Sequence, residues 1–340
     1  MSDRPEVAVI MANYNCARFV RAAIQSVFAQ TLTSWELIIV DDASSDDSVA
    51  LAQQAANGDP RIKILTQPSN RGPGAARNRA LELVTARWIA ILDSDDLIPP
   101  HRLESLLRRA TQAGASIVAD NLLEFSSQTQ PRSFLPARLN KEVCWISLDA
   151  FVGSNCLYSR TPPLGYLKPM IRADIVRDMD VRYDESLRIA EDYYFLVELM
   201  LHGYRLLLDP TSVYLYRKHP GSVSHRMRAA DIAALIAAED RFARRELAFS
   251  PRVTAALHRR RRSLYSLCVF DRLIAALKSG DFRVAAHCVA TRPHAWPLLM
   301  QPLLGRLRKL KRPQKLLELS DDDVLRTIIV GQPNAYLSGF

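Results

Sequence analysis

The segment Trp88-Ile89-Ala90-Ile91-Leu92-Asp93-Ser94-Asp95-Asp96 runs five apolar residues straight into three carboxylates with one serine among them. A continuous apolar run without polar alternation describes a strand covered on both faces. Parallel α/β sheets place ligand chemistry just beyond the carboxyl ends of such strands. Asp93 and Asp95 are two apart, so in an extended chain their side chains leave the same face. Adjacent carboxylates repel unless something positive sits between them. A hard divalent cation suits that place, and magnesium or manganese is readily shared with phosphate oxygens. The competing reading is an acidic turn capping a helix that starts near Pro99-Pro100.

Working outward, the same pattern recurs. A first strand over 7–11 is followed by Asn13-Tyr14-Asn15 and a helix over about 17–30. A second strand, 37–40, ends in Asp41-Asp42, and Ser45 or Asp46 can cap the helix after it. A third, 62–65, leads to the loop Asn70-Arg71-Gly72-Pro73-Gly74 and a helix over about 75–85. A helix over 100–113 and a strand over 116–119 come next. Strands alternating with helices predict right-handed crossovers and a mostly parallel, Rossmann-like sheet flanked by helices. Four polar clusters then share one sheet edge. No GxGxxG follows the first strand and no P-loop occurs, which argues against a nicotinamide, flavin or P-loop enzyme.

Beyond residue 123 the pattern loosens, and 125–147 read as surface excursions. A helix is expected from Glu191-Asp192 to His202-Gly203, then strands over 205–208 and 212–217. From 229 to about 312 the chain reads as helical, with breaks near Ser250-Pro251, Ser279-Gly280 and Arg292-Pro293. The expected division is 1–225, with a donor half to about 123 and an acceptor half beyond it, and a basic helical region over 226–340.

With 48% hydrophobic and 24% charged residues, the 340-residue chain has the composition of an ordinary globular protein. The polar start and the lack of an apolar window of about 20 residues argue against a leader or a membrane span. Five cysteines without CxxC spacing suit reduced thiols and a cytoplasmic setting. The net charge of +9 is uneven: residues 226–315 hold 20 Lys and Arg against 6 Asp and Glu, a net of +14, so the rest carries −5.

Tyr14-Asn15, the run Val40-Asp41-Asp42-Ala43-Ser44-Ser45-Asp46, Asn70-Arg71-Gly72 with Ala76-Arg77-Asn78, and Leu92-Asp93-Ser94-Asp95-Asp96 together resemble family 2 glycosyltransferases of the GT-A fold. Glu191-Asp192 and the run Tyr216, His219, Ser222-Val223-Ser224 continue the same order. Gly165-Tyr166-Leu167-Lys168-Pro169 and Glu191-Asp192-Tyr193 further resemble bacterial exopolysaccharide glucosyltransferases of the succinoglycan type.

The resemblance implies an inverting, metal-dependent transfer from a UDP-sugar, UDP-glucose foremost, to a saccharide acceptor carried on a polyprenyl diphosphate. Tyr14 would stack on uracil, Asp42 would accept from its N3–H, and Ala12 would contribute backbone. Asp41 would bind ribose or brace the loop. Asn70, Arg71 and Arg77 would face the diphosphate, with Asp93 and Ser94 near ribose or sugar hydroxyls. Asp95 and Asp93, with His219, would hold Mg2+ or Mn2+; Asp96 is a further candidate. Asp192 is expected as general base with Glu191 orienting, or the reverse. Lys168, Tyr166 and Arg188 are candidate acceptor contacts. Rival readings are a glycosyltransferase acting on protein or small molecules with another donor, and a catalytically silent nucleotide-sugar-binding subunit.

In the basic third, the apolar run 296–305 beside the cluster 306–312 suits attachment to an anionic membrane surface, at the inner face of the cell membrane. The alternative is a helical bundle packing on the first domain or on a second copy of the chain. No nucleic-acid recognition motif accompanies the charge, so nucleic acid is not an expected partner.

Overall fold

The computed structural model describes residues 4–126, 129–136, 139, 141–156, 159, 161–219, 221, 227–245 and 249–291. The described residues form two compact units, one from 4–148 and 164–221, the other from 149–163 and 227–291. The segments 222–226 and 296–312, singled out above, lie outside the described residues.

The first unit alternates strand and helix as far as residue 113: β1 (Val7–Asn13), α1 (Val20–Phe28), β2 (Trp35–Asp41), α2 (Ser48–Ala56), β3 (Ile62–Thr66), α3 (Pro73–Leu81), β4 (Trp88–Ile91) and α4 (Arg102–Ala113). Val7 to Met11 are fully buried and β2 is buried throughout. That burial is worth about 1.5–3 kcal/mol for each large side chain. On α4, Leu103, Leu106 and Ala110 recur at helical spacing on the buried face, and Gly114 at φ +62° ends the helix.

β5 (Ile117–Ser126), β6 (Thr129–Ser133) and β7 (Cys144–Ile146) follow; α5 (Leu148–Ser154) belongs, but for its first residue, to the second unit, and the first resumes with a 3-10 turn at Leu164–Tyr166 and β8 (Met170–Arg172). α6 (Ala173–Asp178), α7 (Glu191–Leu201) and β9 (Leu206–Arg217) complete the unit. All nine strands join one sheet in the order β3-β2-β1-β4-β8-β5-β9-β7, with β6 beside β5. β1 to β4 pair in parallel, as does β5 with β9; β8 runs antiparallel between β4 and β5. The carboxyl ends of β1 to β4 therefore share one edge.

Three features differ from the sequence expectation. The region expected to be loose holds β6, β7 and the second half of β5. β8 was not anticipated, because three residues are too few to show a period. The two strands expected over 205–217 are one, interrupted by a register shift at Asp209-Pro210 where proline cannot donate to a ladder.

The second unit contains α8 (Ala229–Ala243), α9 (Pro251–Ser279) and α10 (Phe282–Thr291). Ser250 caps α9 and Gly280, at φ +75°, ends it, which reproduces the two breaks expected there. Within the run 259–262, Arg260 is buried, bonding to Glu239 at 2.7 Å and to the Asn155 carbonyl at 2.6 Å. Among the described residues no helix is long and apolar enough to cross a membrane.

Candidate active site

The strand ends along the β3-β2-β1-β4 edge carry the predicted polar clusters, and hydrogen bonds tie them into one rim. Asn13 Nδ2 donates to Asp41 Oδ1 at 2.7 Å, and the Ser44 amide donates to Asp41 Oδ2 at 2.9 Å. Asp41, buried, thus braces the turn after β2. Asn15 accepts from the Ser45 amide on the same turn. Asp42 anchors the next loop: its Oδ1 accepts from the Arg71 amide at 2.7 Å and Gln67 Nε2 at 3.0 Å, its Oδ2 from the Gly72 amide at 2.7 Å. One lone pair of Oδ2 remains for another donor. Tyr14 stands beside this rim 51% exposed, with Ala12 half-buried before it.

The loop after β3 is shaped for close approach. Gly72 adopts φ +93°, where a side chain would be strained, and Pro73 then opens α3. A Cβ on Gly74 would come within 3.2 Å of the Asp184 carbonyl, a tight contact, so glycine eases the approach of α3 to residues 183–185. Asn78 donates to the Tyr183 carbonyl and to Glu185, and Arg71 pairs with Glu185 at 2.5 Å. Asn70 bonds to the Asp42 carbonyl.

Beyond β4, each carboxylate has its own surroundings. Ser94 is buried and bonded to the Cys16 side chain; burial pushes that thiol up to about 12 against the bond from Ser94. Asp95 Oδ2 lies 2.9 Å from His219 Nε2. The Gly221 amide donates to His219 Nδ1, so in the neutral ring the proton sits on Nε2, facing Asp95. Asp96 accepts from Tyr214 OH at 2.8 Å and from the Arg217 amide at 2.7 Å. Burial, followed by the charges of Asp95 and Asp93, pushes its carboxyl well above the usual range.

Oxygens of Asp93, Asp95 and Asp96 all lie within 4.8 Å of one another. Hard oxygen donors, mutually repelling and joined by an imidazole, fit a divalent cation of the Mg2+ or Mn2+ kind.

Asp93 opens a second, buried set of charges. Its Oδ1 accepts from Arg77 Nη2 at 2.7 Å and its Oδ2 pairs with Lys168 Nζ at 2.7 Å. Arg77 Nη1 reaches Glu191 Oε1 at 2.5 Å and lies 3.3 Å from Asp192 Oδ1; Lys168 Nζ reaches Asp192 Oδ2 at 2.7 Å. Arg77 is 4% exposed, with its guanidinium 5.5 Å from the Tyr183 ring. Burial would raise the Asp93 carboxyl, but Lys168 and Arg77 prevail and hold it at about 2. Burial would strip the proton from Lys168, but Asp192 and Asp93 prevail and hold its ammonium well above the usual range. For Glu191 burial wins, and its carboxyl is raised despite Arg77.

Glu191 and Asp192 form the first turn of α7, where the helix dipole favours negative charge. Ala190 before them sits at φ +62°, and Ala43 beside Asp42 at φ +60°. Left-handed backbone in a residue with a side chain costs about 1–2 kcal/mol and collects at functional sites.

The structure thus brings the predicted residues of the four strand ends, with Lys168, Glu191, Asp192 and His219, to one edge or its immediate floor; Ser222 and Ser224 lie outside the described residues. Arg77 differs from expectation in that its fork holds carboxylates. The partners that sequence reasoning missed are Tyr214 and Arg217, which brace Asp96, and Lys168 as the link between Asp93 and Asp192. They lie 75–121 residues from their carboxylate partners in the β4 cluster, and no spacing signals such a pair.

The fold and this rim define a GT-A glycosyltransferase. The family model "Glycosyl transferase family 2" matches residues 8–162. The succinoglycan biosynthesis protein ExoO of Rhizobium meliloti (strain 1021) is 37% identical over 307 residues, 90% of this chain and 87% of that protein. ExoU of the same strain is 28% identical over 338 residues, 96% and 97% of the two chains. The chain belongs to glycosyl transferase family 2. Among solved structures, S. aureus TarS 1–349 in complex with UDP-GlcNAc matches with a TM-score of 0.60 at 17% identity, over 85% of this chain and 92% of that one. The mannosyltransferase PcManGT from Pyrobaculum calidifontis, in complex with GDP-Man and Mn2+, matches with a TM-score of 0.58 at 17% identity, over 97% and 86%. At that identity the two structures speak for the fold.

Proposed function

We propose that this glycosyltransferase moves glucose from UDP-glucose, with inversion, to a hydroxyl of a growing saccharide carried on a polyprenyl diphosphate, in exopolysaccharide assembly. The observation that carries the reading is the unbroken set of contacts from Asp93, on the carboxylate rim, through Lys168 and Arg77 to Glu191 and Asp192. A donor-side carboxylate and a candidate base thus belong to one fixed constellation, as a single displacement requires. The relatives in succinoglycan biosynthesis support the polysaccharide, and the UDP-GlcNAc complex of TarS supports a UDP donor.

In this reading Tyr14 stacks on the base and Asp42 offers its remaining lone pair to N3–H. The loop of Asn70, Arg71 and Gly72 faces the diphosphate. Asp192 takes the proton of the acceptor hydroxyl as its oxygen attacks C1; the bond from C1 to the diphosphate breaks, and UDP leaves with the electron pair. Asp192 is preferred to Glu191 because its Oδ1 is buried without a hydrogen bond, whereas Glu191 Oε1 is taken by Arg77. Arg77 is read as the holder of these carboxylates. A divalent cation held by Asp95, His219 and Asp93 would supply positive charge against the leaving diphosphate.

The test is a panel of nucleotide sugars, with Mg2+ or Mn2+, in which released nucleoside diphosphate is measured with lipid-linked and free oligosaccharide acceptors. UDP-glucose with the lipid-linked acceptor should lead. Asp95→Ala should abolish metal-dependent donor binding, and Asp192→Asn should keep binding and lose transfer. Full activity in Asp192→Asn would overturn the assignment of the base.

A further inference from the structure

We propose that Lys168 is a positioning residue for the transfer step, selecting which oxygen of Asp192 takes the proton and holding it in register with the donor side. The inference rests on the reading of Asp192 as base.

The backbone that carries Lys168 is pinned on three sides. Its carbonyl accepts from Arg102 Nη2 at 2.5 Å, and Arg102 is itself locked in a buried bidentate pair with Asp120. The next carbonyl, of Pro169, accepts from the Ile91 amide at 3.3 Å. One residue further β8 begins, wedged between β4 and β5 through Met170 and Ile171. Lys168 therefore leaves a rigid sheet edge, not a loop free to follow its partners. Its side chain is 8% exposed.

From that fixed origin the ammonium meets one oxygen of each carboxylate, Asp93 Oδ2 and Asp192 Oδ2, both at 2.7 Å. A carboxylate oxygen in a short charge-assisted hydrogen bond is the poorer proton acceptor of the two. The other oxygen, Asp192 Oδ1, is shielded from solvent and has no hydrogen bond, with Arg77 Nη1 3.3 Å away. The charges facing Asp192 are thus Lys168 on the Oδ2 side and Arg77 on the Oδ1 side, with Glu191 adjacent. Lys168 alone makes the two oxygens unequal by hydrogen bonding.

The same contact keeps the two carboxylates together. Arg77 is one strut between Asp93 and α7, and Lys168 is the other. With one strut removed, Asp93 and Asp192 repel across a dry gap, and Asp192 is free to turn about its terminal torsion. Misplacing a reacting group by about 1 Å costs roughly 100-fold in rate. The fault would appear in turnover far more than in donor binding, because Arg77 still holds Asp93 Oδ1.

The experiment compares Lys168→Met, which keeps the length of the side chain, with Lys168→Arg, which keeps the charge. kcat and KM are measured with UDP-glucose, Mn2+ and the acceptor, and the Kd of UDP-glucose by calorimetry. Lys168→Met should lose about 100-fold in kcat with a UDP-glucose Kd within about threefold of wild type. Lys168→Arg should recover about tenfold of that loss. Circular dichroism and urea midpoints check that each variant is folded. If Lys168→Met fails to fold, the arginine variant decides alone: a lowered kcat at unchanged Kd supports the role. Wild-type kcat in either folded variant overturns it. So does a Kd weakened in proportion to kcat/KM, which would make Lys168 a donor-binding residue. Transfer surviving in Asp192→Asn would refute the base itself, whereas its loss there beside wild-type kcat in Lys168→Met refutes only the positioning role.

Discussion

Replacing Arg77 by methionine should uncover what the buried charges cost. Arg77 is 4% exposed and sits among three carboxylates, at 2.7 Å from Asp93, 2.5 Å from Glu191 and 3.3 Å from Asp192, with Lys168 as the second cation. Removing one partner of a buried ion pair costs about 3–5 kcal/mol, because the charges left behind are unpaired. The held value of about 2 for Asp93, against 3.8 ordinarily, provides a second route to the size of the effect. That depression amounts to about 2 kcal/mol of native stability at neutral pH, shared between Lys168 and Arg77. Its sign is that of a depressed carboxylate: the contribution is present above 3.8 and is lost as pH falls toward 2. In Arg77→Met, Glu191 loses the cation that opposes its burial and is raised further, so its penalty applies at neutral pH and fades as it takes up a proton. Urea unfolding followed by tryptophan emission reports on the first unit through buried Trp35 and Trp88. The expected result is a deficit of about 3–5 kcal/mol at pH 7 that narrows by pH 4.5, with Arg77→Lys intermediate. A variant within about 0.5 kcal/mol of wild type at pH 7 would refute the reasoning. So would a deficit that is the same at both pH values, because a cavity alone does not titrate.

Two further predictions concern residues whose neighbours differ. Tyr14→Ala removes an exposed ring that donates to no core packing, so folding stability should stay within about 0.5 kcal/mol while UDP-sugar affinity falls by about 1–3 kcal/mol, the worth of stacking on a base; calorimetry with UDP-glucose measures this, and unchanged affinity would remove Tyr14 from the donor site. In the second unit, Arg260→Met should cost about 3–5 kcal/mol through its buried pair with Glu239, whereas Arg259→Met, on an exposed position, should cost less than about 0.5 kcal/mol, with urea unfolding followed by far-UV circular dichroism, which reads the helices of that unit. Equal costs would mean that the run of four arginines is uniform.

The donor half was legible because each of its elements carries its own signal. β1, β2 and β4 are apolar runs that end in polar clusters, and the stretch from Asn70 to Gly74 carries the glycines and proline of a loop before a helix. The start of α7 at Glu191 could be placed for the same reason. What could not be read depends on the chain meeting itself. Met170-Ile171-Arg172 is too short to show a period, yet as β8 it sets where Lys168 stands. Tyr214 looks like any strand aromatic until the fold brings its hydroxyl to Asp96 and to the Asp93 amide. Arg77 was expected at the diphosphate from the resemblance and from its place beneath the loop 70–74, neither of which says which anion is nearer.

The persistence of so many charges in a dry place is itself an argument about their purpose. Buried ion pairs of this kind are often no more stabilising than apolar residues of the same volume. A chain under pressure for stability alone could fill the space around Arg77 and Lys168 with leucine and methionine. Three carboxylates against two cations also leave the cluster with one negative charge in excess, which burial makes costly. Such an imbalance is tolerable where a proton is to be accepted: Glu191, paired with Arg77, is raised by burial, while Asp93, paired with both Arg77 and Lys168, is held at about 2. Carboxylates in one cluster with values pushed apart are the usual mark of divided acid–base roles. The division here follows Lys168, which pairs with Asp93 and Asp192 while Glu191 pairs with Arg77, so the placing of the two cations, more than any single carboxylate, sets the orienting group apart from the one that takes the proton.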